Sequence, residues 1–224
     1  MELKIFFLSF YFIIFSYSKC TLAIDIGSVT TVFQEEEKFI SKVIFNNTSK
    51  SKFYTLSAYS IKNPKGNKEI NKIERGVFLF SPYKFKLAPG ERQIVKFFYN
   101  GPEDEIERYY KVFYHELPIP ESKVINSVTS NAMFYMSVVV ENIIVVRPRK
   151  LKFGYSLLDD GKVYNKGNTF FEISQKSDCT QEDSKAFSRY VMPGETVELH
   201  SVSKNSDLVI IYKNRFIHLL DNCR

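Results

Sequence analysis

The chain has 224 residues, a formal net charge of +6 and a sequence isoelectric point near 9.0. It is 44% hydrophobic and 16% aromatic, which excludes a disordered chain, and its length suits two domains of about 100 residues. No run of five or six Lys/Arg forms a stripe for nucleic acid, so none is expected as a partner.

Lys4 and the apolar run Ile5–Tyr17 read as a signal peptide, too short to span a bilayer comfortably. Thr21-Leu22-Ala23 offers a cleavage site, so residues 1–23 are expected to be removed, leaving no membrane anchor; a retained anchor is the alternative. Cleavage leaves Cys179 and Cys223, an even pair that invites a disulfide in an exported protein.

From Ile24 onward, short apolar runs rich in Phe, Tyr, Val, Ile and Thr alternate with polar turns. Expected strands are Ile26–Phe33, Phe39–Phe45, Phe53–Ile61, Val77–Ser81, Lys84–Leu87, Gln93–Tyr99 and Arg108–Glu116. Lys62–Glu74 is a polar hinge, and Pro89-Gly90 a strong turn. Asn46 and Asn47 each begin a glycosylation sequon.

Ala132–Arg147 is a long apolar strand with Phe134, Met136, Val138 and Val140 on one face. That row is either buried in the chain's own core or lent to another protein. Pro148 ends it, because proline donates nothing to a ladder. Six shorter runs follow: Lys152–Leu157, Lys162–Tyr164, Thr169–Ser174, Val197–Val202, Leu208–Tyr212 and Arg215–Leu220. The expectation is an all-β chain of two immunoglobulin-like β-sandwich domains, 24–147 and 148–224. Leu87-Ala88-Pro89-Gly90-Glu91 in the first half echoes Val191-Met192-Pro193-Gly194-Glu195 in the second.

The segment Phe97–Tyr110 (FFYNGPEDEIERYY) resembles the periplasmic chaperones of the chaperone–usher pathway, above all the branch serving the common pilus (EcpB type). Ile24–Gly27, Leu87–Gly90, Ile144–Val146 before Pro148, and Tyr190–Gly194 carry the same likeness across the mature chain. The resemblance implies two immunoglobulin-like domains set at an angle, a periplasmic location, pilin (fimbrial) subunits as clients and an outer-membrane usher as recipient. It implies that Phe134, Met136, Val138 and Val140 fill the client's groove by donor-strand complementation. It also pairs Glu107 with Arg147 across the domain boundary. Better-known members hold the client's terminal carboxylate with an Arg and a Lys at positions that here are Thr30 and Ile143. The anchor is therefore absent, moved to Lys42, Lys96 or Arg147, or replaced by backbone contacts.

Enzyme chemistry finds no support: His115, His200 and His218 share no metal-ligand spacing, and no phosphate loop, cofactor motif or unpaired nucleophile stands out. An exported pilin or adhesin of the same architecture is the structural rival, but the mature start IDIGSVTTVFQEEE lacks a long alternating row for donation.

Overall fold

The computed structural model describes residues 23–65, 69–119, 136–158, 161–176, 178–180, 182, 186–199 and 206–221. Residues 1–22 of the expected leader, Phe134 and Cys223 lie outside the described residues; Cys179 is disulfide-bonded. Every regular element among the described residues is a strand, as the period-two patterning requires.

The N-terminal sandwich faces two sheets together. One contains β1 (Ile24–Asp25), β3 (Phe39–Asn46), β8 (Arg92–Tyr99) and β6 (Phe78–Ser81), in the order β1-β3-β8-β6. The other runs β2 (Thr30–Phe33), β10 (Val138–Val146), β9 (Arg108–Pro118), β4 (Lys52–Ile61) and β5 (Ile70–Asn71), with β7 (Lys84–Leu87) also on β4. Alternate residues of each strand meet in an aromatic core, where Phe78 stacks on Tyr110 at 4.4 Å and Tyr54 on Phe85 at 5.5 Å.

Of the run expected as a strand, Ile26–Phe33, only Thr30–Phe33 (β2) is one, and β1 lies just before it. β1 pairs with β3, while β2 pairs with β10 in the opposite sheet. Gly27, at φ +66°, turns the chain between them, a backbone state that side-chain-bearing residues resist.

The C-terminal sandwich has β11 (Tyr155–Leu158), β12 (Lys162–Asn165) and β15 (Thr196–Glu198) in one sheet. The facing sheet runs β14 (Phe187–Val191), β13 (Phe171–Lys176), β16 (Asp207–Tyr212) and β17 (Arg215–Asp221). Its core gathers Val163, Phe171, Ile173, Val191, Val197, Leu208 and Ile210.

The Pro-Gly-Glu echo is a repeated corner. Gly90 and Gly194 both take positive φ, +76° and +74°. Glu91 N–H donates to Ala88 O at 3.1 Å, and Glu195 N–H donates to Met192 O at 3.0 Å. The Glu91 carboxylate accepts from Ala88 N–H at 2.7 Å, and that of Glu195 from Met192 N–H at 2.9 Å. Each corner rests on a fully buried asparagine that ends a strand. Asn46 Nδ2 donates to Lys50 O, Leu87 O and Ala88 O; Asn165 Nδ2 donates to Thr169 O and Val191 O. The Asn46 sequon is thus closed to modification in the folded chain.

Candidate functional site

Along its whole length β10 pairs with β9, from Val138 opposite Glu116 to Val146 opposite Arg108. On its other side β2 covers only Ile143–Val146. Among the described residues no strand covers Val138–Asn142 on that side. Ile143 N–H donates to Val29 O at 2.9 Å and Arg147 N–H to Phe33 O at 3.1 Å. Alternation turns the backbone groups of Val139 and Glu141 the same way, onto an edge with no neighbouring strand. Such an edge is a template for an added strand.

The even row of β10 divides along its length. Ile144 and Val146 are buried in the chain's own core, and Val140 packs against that core partly buried. Val138 is half-exposed and Met136 is 81% exposed. The covered half of the strand is thus part of the chain's own core, while its leading half stands clear of it.

The odd row of the covered half turns toward the C-terminal sandwich. Val145 clusters with Ile61, Tyr109 and Phe170, and Val32, Ile143 and Met192 pack against them. Beside this cluster opens a pocket of about 130 Å³ whose walls include Thr30, Ile143, Phe170, Tyr190 and Met192. Its cationic wall residue is Lys65, whose Nζ lies 2.5 Å from Glu195. Sequence reasoning passed over Lys65 because it sits in a polar loop; only the fold brings that loop across to the second sandwich.

The cations nominated from sequence lie elsewhere. Lys42 faces the interior between the two N-terminal sheets, 7% exposed, and donates to Ser28 O at 2.5 Å and Thr31 Oγ1 at 3.1 Å. Burial lowers its pKa to about 8, against a smaller upward pull from Asp25. Lys96 is exposed on β8, in register with Ser41 and Ser81 in the sheet away from β10, so it does not reach the pocket. Arg147 is buried and committed to the second sandwich.

Glu107 and Arg147 do meet at the junction, but through an intermediary. Arg147 Nη1 donates to Thr169 Oγ1 and, at 3.2 Å, to Phe170 O. Thr169 Oγ1 donates onward to Glu107 Oε2 at 2.5 Å. Glu107 also accepts from Tyr109 Oη at 2.6 Å and from Phe170 N–H at 3.1 Å. Among the described residues the two charges make no direct contact within 4.0 Å; a hydroxyl relay replaces the expected ion pair. The Arg147 guanidinium lies 4.5 Å from the Phe170 ring centre and 5.1 Å from that of Tyr212. Burial pushes the Glu107 carboxyl up and the Arg147 guanidinium down, each opposed by the other's charge.

No family model matches the chain. It is 32% identical over 205 residues to the probable fimbrial chaperone EcpE of Escherichia coli strain K12, covering 91% of this chain and 86% of that protein. Identity to the probable fimbrial chaperone EcpB of E. coli strain SMS-3-5 is 24% over 178 residues, 78% and 79% of the two chains. The likeness is thus stronger to EcpE than to the EcpB type that the sequence brought forward. Among solved structures, the class 5 fimbriae chaperone CfaA superposes with a TM-score of 0.57 at 14% identity, covering 88% of this chain and 97% of its own. The periplasmic chaperone SfaE gives 0.54 at 14% identity, with 88% and 98% covered. These structures share its architecture of two immunoglobulin-like sandwiches set at an angle. By its identity to EcpE over nearly its whole length, the chain belongs to the fimbrial chaperone family.

Proposed function

We propose that this protein is a periplasmic chaperone without enzymatic activity that captures pilin subunits by lending them β10 and passes them to an outer-membrane usher. The uncovered backbone edge at Val138–Asn142, with Met136 and Val138 standing clear of the core, carries this reading. A subunit lacking its last strand exposes an apolar groove. An added strand would bond it to the edge while Phe134, Met136, Val138 and Val140 fill that groove, each buried side chain contributing roughly 1.5–3 kcal/mol. The solved complex of the Salmonella enterica pilin SafA with the SafB chaperone has the same fold, with a TM-score of 0.56 at 14% identity. Lys65 is the cation that the pocket offers to a client terminus. The mature chain begins at Ile24, its domains span 24–147 and 148–224, and Cys179 pairs with Cys223.

Co-purification from periplasmic extract with a co-expressed pilin tests the reading. The wild type is expected to hold the pilin in a soluble complex. Met136→Asp with Val138→Asp is expected to abolish capture while leaving the circular dichroism and melting of the chaperone unchanged. Undiminished capture by the double variant would remove β10 as the donor.

A further inference from the structure

The crossover from β1 to β2 decides where the open edge of β10 stops. Gly27 N–H donates to Asp25 Oδ1 at 2.7 Å, and Ser28 Oγ both accepts from Thr30 N–H at 3.2 Å and donates to Thr30 O at 2.5 Å. Two buried donors, one from each sheet, then converge on this crossover. Lys42 of β3 reaches Ser28 O and Thr31 Oγ1 from one side. Asn142 of β10, with no exposed surface, places Nδ2 at 3.2 Å and 3.4 Å from the same two oxygens.

This arrangement is a poor one for stability alone. Among the described residues the Lys42 ammonium has no carboxylate within 4.0 Å, and Asn142 Oδ1 has no partner. Apolar residues of similar volume would pack between the sheets without either burden. What the pair achieves is positional: Asn142 is the last uncovered residue of β10 and Ile143 the first covered one.

We propose that Lys42 and Asn142 form a stop that pins the start of β2, and so sets the length and register of any strand added to β10. The length-and-register role rests on reading β10 as the donor strand. β2 covers only Ile143–Val146. Unpinned, its leading end could peel away pair by pair and let an incoming strand slide. A slip of one residue would turn every side chain of that strand to the wrong face. Holding the Ser28 carbonyl with a buried ammonium makes the first step of peeling expose that charge's partner and break both sheets' contacts with the crossover. Lys42 and Asn142 act through β2 and touch no client groove themselves, so they are positioning residues.

Hydrogen exchange of the full mature chain tests the stop without any client. In Lys42→Met and in Asn142→Leu, the Ile143 amide is expected to exchange about tenfold faster, while the Arg147 amide at the far end of β2 keeps its protection. Lys42→Arg, which retains a long donor, is expected to restore slow exchange and decides the matter if Asn142→Leu does not fold. Unchanged Ile143 exchange in Lys42→Met would overturn the proposal. A second arm uses two synthetic peptides of alternating Val and Thr, one long enough for Val138–Asn142 and one reaching Val146. The wild type is expected to bind both equally, and Lys42→Met to favour the longer by about tenfold. Equal binding by the variant would overturn the stop's role in register. Failure of the wild type to bind either peptide would count against β10 as donor, and with it the register role, while the exchange arm would still decide whether β2 is pinned.

Discussion

Burying Lys42 between two sheets links stability to pH with a definite sign. Its folded pKa, about 8, lies below the ordinary 10.5, so folding favours the neutral amine. The associated stabilisation is fully present above pH 10.5 and is lost as pH falls through about 8. At neutral pH the charged form therefore costs on the order of 3 kcal/mol, offset in part by its two hydrogen bonds. Lys42→Met is expected to be at least as stable as the wild type at pH 7, and the wild type to gain on it between pH 8 and 10.5. Denaturant melts of both proteins across that range check this; parallel curves would refute it. Thr169 supplies a second residue-level test. Its hydroxyl joins Arg147 to Glu107, so Thr169→Val, nearly isosteric, is expected to cost about 2–3 kcal/mol by leaving buried charged groups short of a partner. Thermal melts that place Thr169→Val within experimental error of the wild type would show the relay to be incidental. Glu107 and Arg147 were paired only by the family resemblance, since in sequence each is just a charged residue at a strand end. Thr169 was not singled out at all, because a threonine beginning a run reads as any strand residue until the other sandwich is beside it.

The repeated corner is the element that the two sandwiches share most closely. Each corner uses Pro-Gly-Glu to turn, its own Glu to cap the turn, and a buried Asn to tie off carbonyls from two other segments. The five-residue echo was visible in sequence, but Asn46 and Asn165 were not, since each bonds to carbonyls whose identity depends on tertiary folding. Asn46→Ala and Asn165→Ala are each expected to destabilise their own sandwich by about 2–4 kcal/mol, because several buried carbonyls lose their donor. The corners lie in separate cores, so the two losses should add within about 0.5 kcal/mol, which denaturant titration of the double variant measures. Strands with one buried face were read from sequence close to their observed limits, as Lys84–Leu87 shows. Phe187–Val191 was missed: it is a sheet-edge strand on which only Val191 is buried, and such a strand shows no alternation to read. The expected strand Ile26–Phe33 began too early: Ile26 and Val29 suit a strand in sequence, but Gly27, at positive φ, turns the chain between β1 and β2.

At the scale of the molecule, two sandwiches followed from the number and spacing of strands, while their junction did not. Charged contacts ring it: Lys65 with Glu195, Lys213 with Glu35, and Lys152 with Glu105 at 2.8 Å. Arg149 adds donors to the carbonyls of Gln34, Glu35 and Glu37. These rim contacts are partly solvated, and each contributes about 1 kcal/mol or less. The buried Glu107–Thr169–Arg147 relay and the cluster of Ile61, Tyr109, Val145 and Phe170 are the stronger terms. Among the described residues the C-terminal core is the smaller of the two, so it depends more on this junction. The mature protein is therefore expected to unfold in a single calorimetric transition. Glu107→Ala leaves Arg147 buried without its counter-charge, a loss of about 3–5 kcal/mol in comparable pairs. That variant is expected to split the transition, with the C-terminal sandwich melting first and small-angle scattering reporting a broader distribution of domain angles. Lys65→Ala, which removes one rim contact, should leave the single transition intact. Two transitions in the wild type, or one in Glu107→Ala, would show that the relay does not couple the sandwiches and that the rim alone sets their angle.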